Sequence, residues 1–139
     1  MKQTRNPYLP GWEYIPDGEP KFFGDRVYVY GSHDEAEGER YCTGDYVCWS
    51  APADDLTNWT FEGVIFKKSD DPNYETEVDL LAPDAICGPD GRYYLYYFTS
   101  KMDKLGVAVC LLFLCRARRS QLREVSCLPH PLPLVWNLQ

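Results

Sequence analysis

Two aspartates, each preceded by proline, occupy matching points of a long internal repeat. Asp17 lies in Ile15-Pro16-Asp17-Gly18-Glu19-Pro20, which leads through Gly24-Asp25 into Arg26-Val27-Tyr28-Val29-Tyr30. Asp84 lies in Ala82-Pro83-Asp84-Ala85-Ile86, which leads through Gly88-Pro89-Asp90-Gly91 into Arg92-Tyr93-Tyr94-Leu95-Tyr96. Carboxylates brought together from neighbouring units can divide acid–base work on a glycosidic bond, one activating water and another serving proton transfer to the leaving oxygen. A single Asp after Pro has a plainer use, as a turn residue that hydrogen-bonds its own backbone. The paired setting favours the chemical reading.

The elements that must position these carboxylates are strands and turns, with no convincing helix. Residues 26–32 alternate around Val27, Tyr28, Val29 and Tyr30, residues 46–50 form a second strand, and 59–66 a third, together one antiparallel blade. After a polar loop over 67–77, a second unit opens at 78–81 and continues through 92–99 and 105–109, an incomplete blade. The tyrosine run of residues 93–97 reads as a core strand with alternate rings on opposite faces. A long period of this kind suggests an all-β repeat such as a β-propeller, whose innermost strands gather equivalent positions around an axis. At 139 residues and 45% hydrophobic content the chain has the size of one domain. A closed propeller needs at least four blades of roughly 40–50 residues each, so the chain holds about two antiparallel blades. Open blade edges predict aggregation, and the composition leaves the oligomeric state open.

The net charge of −7 hides a division. Residues 110–139 hold Arg116, Arg118, Arg119 and Arg123 against Glu124, a net of +3, so residues 1–109 carry −10. All 11 Tyr and all 10 Gly precede residue 110, and the remainder is rich in Leu, Arg, Cys and Pro. Two units are therefore expected: 1–109, the β-repeat, and 110–139, an unrelated-looking tail read as an out-of-frame or spliced-in segment. The apolar run over 105–115 is shorter than the roughly 20 residues a membrane span needs. Four arginines without interleaved aromatics are a solvated basic stretch rather than a nucleic-acid footprint. Neither membrane nor nucleic acid is expected as a partner.

Six cysteines form no CxxC pair and no His-bearing zinc spacing, so they read as small buried residues, and no metal site is expected from them. The start, Met1-Lys2-Gln3-Thr4-Arg5-Asn6-Pro7, has no apolar core of a signal peptide, which makes a cytoplasmic location the expectation. Asn58-Trp59-Thr60 fits a glycosylation pattern that would matter only in a secretory pathway.

Asn6-Pro7-Tyr8-Leu9-Pro10-Gly11, Ile15-Pro16-Asp17-Gly18-Glu19-Pro20, Gly24-Asp25-Arg26-Val27-Tyr28-Val29-Tyr30-Gly31-Ser32-His33-Asp34 and Leu81-Ala82-Pro83-Asp84 with Tyr93-Tyr94-Leu95-Tyr96-Tyr97 together resemble the start of glycoside hydrolase family 43. The likeness covers about residues 6–109. It implies a truncated five-bladed β-propeller, here the first blade and most of the second. It also implies an enzyme that hydrolyses xylosides and arabinosides with inversion, taking a small oligosaccharide or glycoside as substrate. By resemblance Asp17 is the general base, and Asp84 tunes the pKa of the acid and orients it. Inversion places base and acid roughly 6.5–9.5 Å apart, and a further carboxylate raises the acid's pKa by like-charge repulsion. The family's acid is a glutamate from a later blade with no counterpart here, so this chain is expected to be an inactive fragment. Calcium occurs in some members, with ligands expected outside the matched segment, and no cofactor is evident from the residues themselves.

Other carboxylates are poor substitutes. Glu19, two residues from Asp17, would share its face on an extended strand, and Glu75 and Glu77 lie in a loop. Trp12 and His33 are candidate substrate-binding residues, His33 having an equally good structural reading. Trp49 and Trp59 are better read as packing between sheets. A non-catalytic carbohydrate-binding propeller would need no acid, and a retaining β-fructosidase is the enzymatic rival, although Pro16-Asp17-Gly18-Glu19-Pro20 lacks the expected Asn-Asp-Pro-Asn-Gly.

Overall fold

The computed structural model describes residues 2, 5–71, 75, 77–100 and, as backbone, 105–110. They form two antiparallel meanders, and the expectation of an all-β, blade-like architecture holds. The first sheet has β1 (Glu19–Phe23), β2 (Arg26–Tyr30), β3 (Tyr46–Pro52) and β4 (Thr60–Phe66), paired in chain order. The second has β5 (Leu80–Cys87), β6 (Tyr93–Thr99) and β7 (Leu105–Cys110), again in chain order. The sole helical turn among the described residues is a 3-10 turn, Lys68–Asp70. No described helix is long and apolar enough to cross a membrane. The backbone of β7 runs through Cys110, which pairs with Tyr93; the rest of the tail lies outside the described residues.

Turn chemistry sets both inner hairpins. Phe23 pairs with Arg26 across the two-residue turn Gly24-Asp25, and Gly24 takes φ +65, as a primed hairpin turn requires at its first position. Between β5 and β6 the Gly88 amide donates to the Arg92 carbonyl at 2.7 Å, leaving Pro89-Asp90-Gly91 as a three-residue loop with Gly91 at φ +75. The strand β1 is an addition to the sequence reading, which placed turn and loop before residue 26. β2 is shorter than the expected 26–32, because the Ser32 amide bonds a side chain instead of continuing the ladder. β4 carries register shifts at Glu62 and Ile65 against β3, and Gly63 between them has φ +103.

The core lies between the sheets. Tyr28, Tyr30, Tyr46, Cys48, Ile65 and Phe66 of the first sheet meet Leu80, Ala85, Leu95 and Tyr97 of the second, with Phe23 and Tyr93 closing one side. Alternation puts Tyr28 and Tyr30 on one face of β2, and Tyr46 and Cys48 on the corresponding face of β3. Phe66 and Tyr97 lie 4.6 Å apart, and Phe23 meets Tyr93 edge-on at 4.8 Å. Each such side chain contributes about 1.5–3 kcal/mol when fully buried. Polar links flank the core: the Tyr46 hydroxyl donates to the Leu81 carbonyl at 2.8 Å, and Asp79 receives Arg40 and, at 3.7 Å, Lys68.

The opposite face of the first sheet is covered by the segment that precedes β1. Ile15 and Gly18 pack close to Gly31 and Val29, Trp12 tilts over Trp49 at 5.9 Å, and Tyr8 meets Trp59 at 5.3 Å. This strap is pinned at its start by Lys2, whose amide and carbonyl bond Asp54 and Leu56.

Candidate functional site

Asp17 stands in the strap's last turn, where Ile15-Pro16-Asp17-Gly18 closes with the Gly18 amide 3.4 Å from the Ile15 carbonyl. Pro at the second position presets φ for such a turn. The turn aims the carboxylate at the end of β2. Ser32 donates its amide to Oδ1 and its hydroxyl to Oδ2, each at 2.6 Å. Gly31 makes this approach possible: a Cβ there would stand 2.7 Å from Asp17 Oδ1 and 2.6 Å from Ile15 Cγ2. Ser32 is fully buried, whereas Asp17 as a residue remains exposed. The result is a carboxylate anchored through both oxygens on a residue that lies at the surface.

Asp84 has a different backbone setting from its counterpart. It lies within β5, opposite Tyr96, just past an irregularity that follows Leu81 and leaves Ala82 at φ +29. Pro83-Asp84 is thus strand, not the turn that is the plainer use of Asp after Pro, with Pro83 buried and Asp84 facing outward. Its Oδ1 is 2.8 Å from Lys21 Nζ on β1, and its side chain is 56% exposed. The hydrogen bond to Asp84 holds the Lys21 ammonium above its ordinary range.

A hydrogen-bonded link at the sheet–sheet junction joins the Asp17 turn to the strand that carries Asp84. Ser32 Oγ, which donates to Asp17, accepts the Ala82 amide at 2.8 Å, two residues before Asp84. Beneath lie the phenols of Tyr30 and Tyr46, both fully buried. Burial pushes both up, helped by the charge of Asp84 for Tyr30 and of Asp17 for Tyr46. They stay protonated at neutral pH and enclose the junction as neutral groups.

His33 follows Ser32 and turns to the strap. Its Nε2 is 2.8 Å from Glu13 Oε1, and the Trp49 indole donates to Glu13 Oε2 at 2.7 Å. The Tyr14 amide also reaches Oε1, at 3.2 Å. The Glu13 side chain is only 2% exposed. The other ring nitrogen of His33 lies against Gly44, where an added Cβ would be 2.6 Å away. His33 is therefore engaged structurally, next to the site. Trp12 is 64% exposed, a ring available at the surface, while Trp49 is buried as its packing role requires. Glu13 was invisible to sequence reasoning, because its partners lie 20 and 36 residues away.

Glu19 opens β1 opposite Tyr30 and is exposed. Asp17 is in a turn rather than on a continuous strand with Glu19, so alternation does not put them on a common face. Glu75 and Glu77 are exposed and precede β5. Cys42 and Cys48 are buried thiols outside any disulfide, as small core residues should be, but Cys87 is exposed at the end of β5. Among the described residues no group of three or more His, Cys, Asp or Glu side chains converges as a metal site.

No family model matches the chain. Individual proteins do. Over 110 residues, 78% of the chain, the sequence is 60% identical to a protein named xylosidase/arabinosidase from Thermoclostridium stercorarium, of which it spans 23%. It is 33% identical over 107 residues, 69% of the chain, to xylosidase/arabinosidase 43A from Humicola insolens, spanning 32% of that protein. A xylosidase/arabinosidase from Bacteroides ovatus is 29% identical over 121 residues, 78% of the chain and 35% of the relative. The chain thus spans about a third or less of the first two relatives, and it is homologous to a segment of proteins named xylosidase/arabinosidase.

Proposed function

We propose that the chain is part of an inverting glycoside hydrolase of family 43 type, acting on xylosides or arabinosides, with Asp17 as general base. The observation that supports this best is the anchoring of Asp17: both oxygens bond Ser32, yet the residue stays open to solvent. Held in one orientation, the carboxylate keeps its remaining lone pairs for a water molecule. It takes a proton as that water attacks the anomeric carbon. A carboxylic acid on the other side of the sugar protonates the departing oxygen, and residues 6–109 provide no counterpart of that glutamate. Asp84 is assigned the orienting role. Its pairing with Lys21 fixes the carboxylate in place but offsets its charge, so orientation outweighs like-charge repulsion in what it contributes.

The test is hydrolysis of nitrophenyl xyloside and nitrophenyl arabinofuranoside by the longest in-frame product of the locus, beside its Asp17→Asn variant. Loss of general-base catalysis is expected to lower kcat by about 10²- to 10⁴-fold. The 139-residue chain alone is expected to hydrolyse neither substrate. Hydrolysis indifferent to Asp17→Asn would refute the assignment. Sugar binding without any hydrolysis by the longer product would favour a carbohydrate-binding module, with Trp12 as a stacking ring.

A further inference from the structure

We infer that Ser32 is the positioning residue of the candidate base, and that the second sheet, through the Ala82 amide, holds the Ser32 hydroxyl in its working orientation. The inference rests on the reading of Asp17 as general base. Proton accounting carries it. The Ala82 amide can only donate, so Ser32 Oγ, 2.8 Å away, must accept from it. The single hydroxyl hydrogen of Ser32 is then committed to Asp17 Oδ2, and the Ser32 amide to Oδ1, each at 2.6 Å. Two donors, one to each oxygen, suit an ionised carboxylate. Ser32 has no exposed surface, so solvent does not replace either bond. The Ala82 amide fills a lone pair of Ser32 Oγ from the β5 side and so narrows the directions in which the hydroxyl hydrogen can point, leaving it aimed at Asp17 Oδ2. A residue 50 positions away in β5 thereby contributes to the orientation of a carboxylate carried by the strap of the first sheet.

Amide hydrogen exchange on the 139-residue chain tests the relay directly. Ser32→Ala is expected to speed exchange of the Ala82 amide about tenfold or more relative to the core amide of Leu95, and Ser32→Thr to keep it within about twofold of the parent. An unchanged Ala82 amide in a folded Ser32→Ala chain would overturn the inference. Should that variant not fold, Asp17→Ala is read at the Ser32 amide instead: about tenfold faster exchange is expected, and no change overturns the inference. In the longer in-frame product, Ser32→Ala is expected to lower kcat about tenfold with KM within about twofold, and Ser32→Thr to restore kcat. A rise in KM alone, or no rescue by Thr, would reduce Ser32 to a purely structural residue and overturn the positioning role. If the longer product hydrolyses nothing, the functional reading fails, while the exchange result still decides whether the relay exists.

Discussion

The two sheets share a sequence motif and differ in how they are covered. In the first, β2 and β3 are buried on both faces, with the strap on one side and the second sheet on the other. In the second, burial alternates along β5 and β6: Leu80, Ala85, Leu95 and Tyr97 are buried, while Asp84, Ile86 and Tyr96 are exposed. The same contrast runs through the aspartates. Asp17 is gripped by a buried serine beneath a covering strap, whereas Asp84 stands on an open face, held by Lys21 and the adjacent Ala85 amide. A Pro-Asp pair is thus no guarantee of a fixed geometry; what lies over and under it decides.

The largest test of this contrast compares the two faces of the second sheet. Leu95→Ala, at a fully buried position, is expected to cost about 2–5 kcal/mol in urea unfolding, and Ile86→Ala on the open face less than about 0.5 kcal/mol. Equal costs would mean that the second face is covered after all. Next in size is Gly31→Ala. The Cβ would press on Ile15 and Asp17, with the Gly18 backbone nitrogen at 3.0 Å, so overpacking of about 1–3 kcal/mol is expected, together with faster exchange of the Ser32 amide.

Trp49→Phe keeps a ring under the strap but removes the indole donor from Glu13. A loss of about 1–3 kcal/mol by the same unfolding measurement is expected, because the Glu13 carboxylate is nearly inaccessible to water. The smallest effect belongs to the strap's first residue pair. The Thr57 hydroxyl, then Lys2, hold Asp55 down to about 2 from its ordinary 3.8. A depressed carboxylate stabilises above its unfolded pKa and loses that contribution as pH falls through the folded one. Comparison of the parent with Asp55→Asn should show a small difference at pH 5 that disappears between about pH 4 and 2.

Much of the first sheet was legible in the residues. Arg26–Tyr30 shows alternation bounded by Gly24 and Gly31, and the inner strands of both units could be placed from aromatic and β-branched runs. β1 was missed because Glu-Pro-Lys reads as turn chemistry, and only its pairing with β2 makes it a strand. Pro83 concealed the course of β5 in the same way: proline argues against a strand interior, and the irregularity beside Ala82 that accommodates it is a tertiary feature. Asp17 and Asp84 could be singled out from their repeat, but not their partners. Ser32, Lys21 and Glu13 have no local signature, since their roles come from residues brought near by the fold.

The division of the core between two consecutive sheets also bears on synthesis. The strap and all four strands of the first sheet are complete at Phe66, while Leu95 and Tyr97 follow about thirty residues later. At roughly 5–20 residues per second, Tyr28, Tyr30, Tyr46 and Phe66 face the ribosome's surroundings for about two to six seconds before their covering arrives. A nascent chain of this design offers an oily tyrosine-lined sheet to chaperones for that interval, and slower elongation while the second sheet emerges would lengthen it.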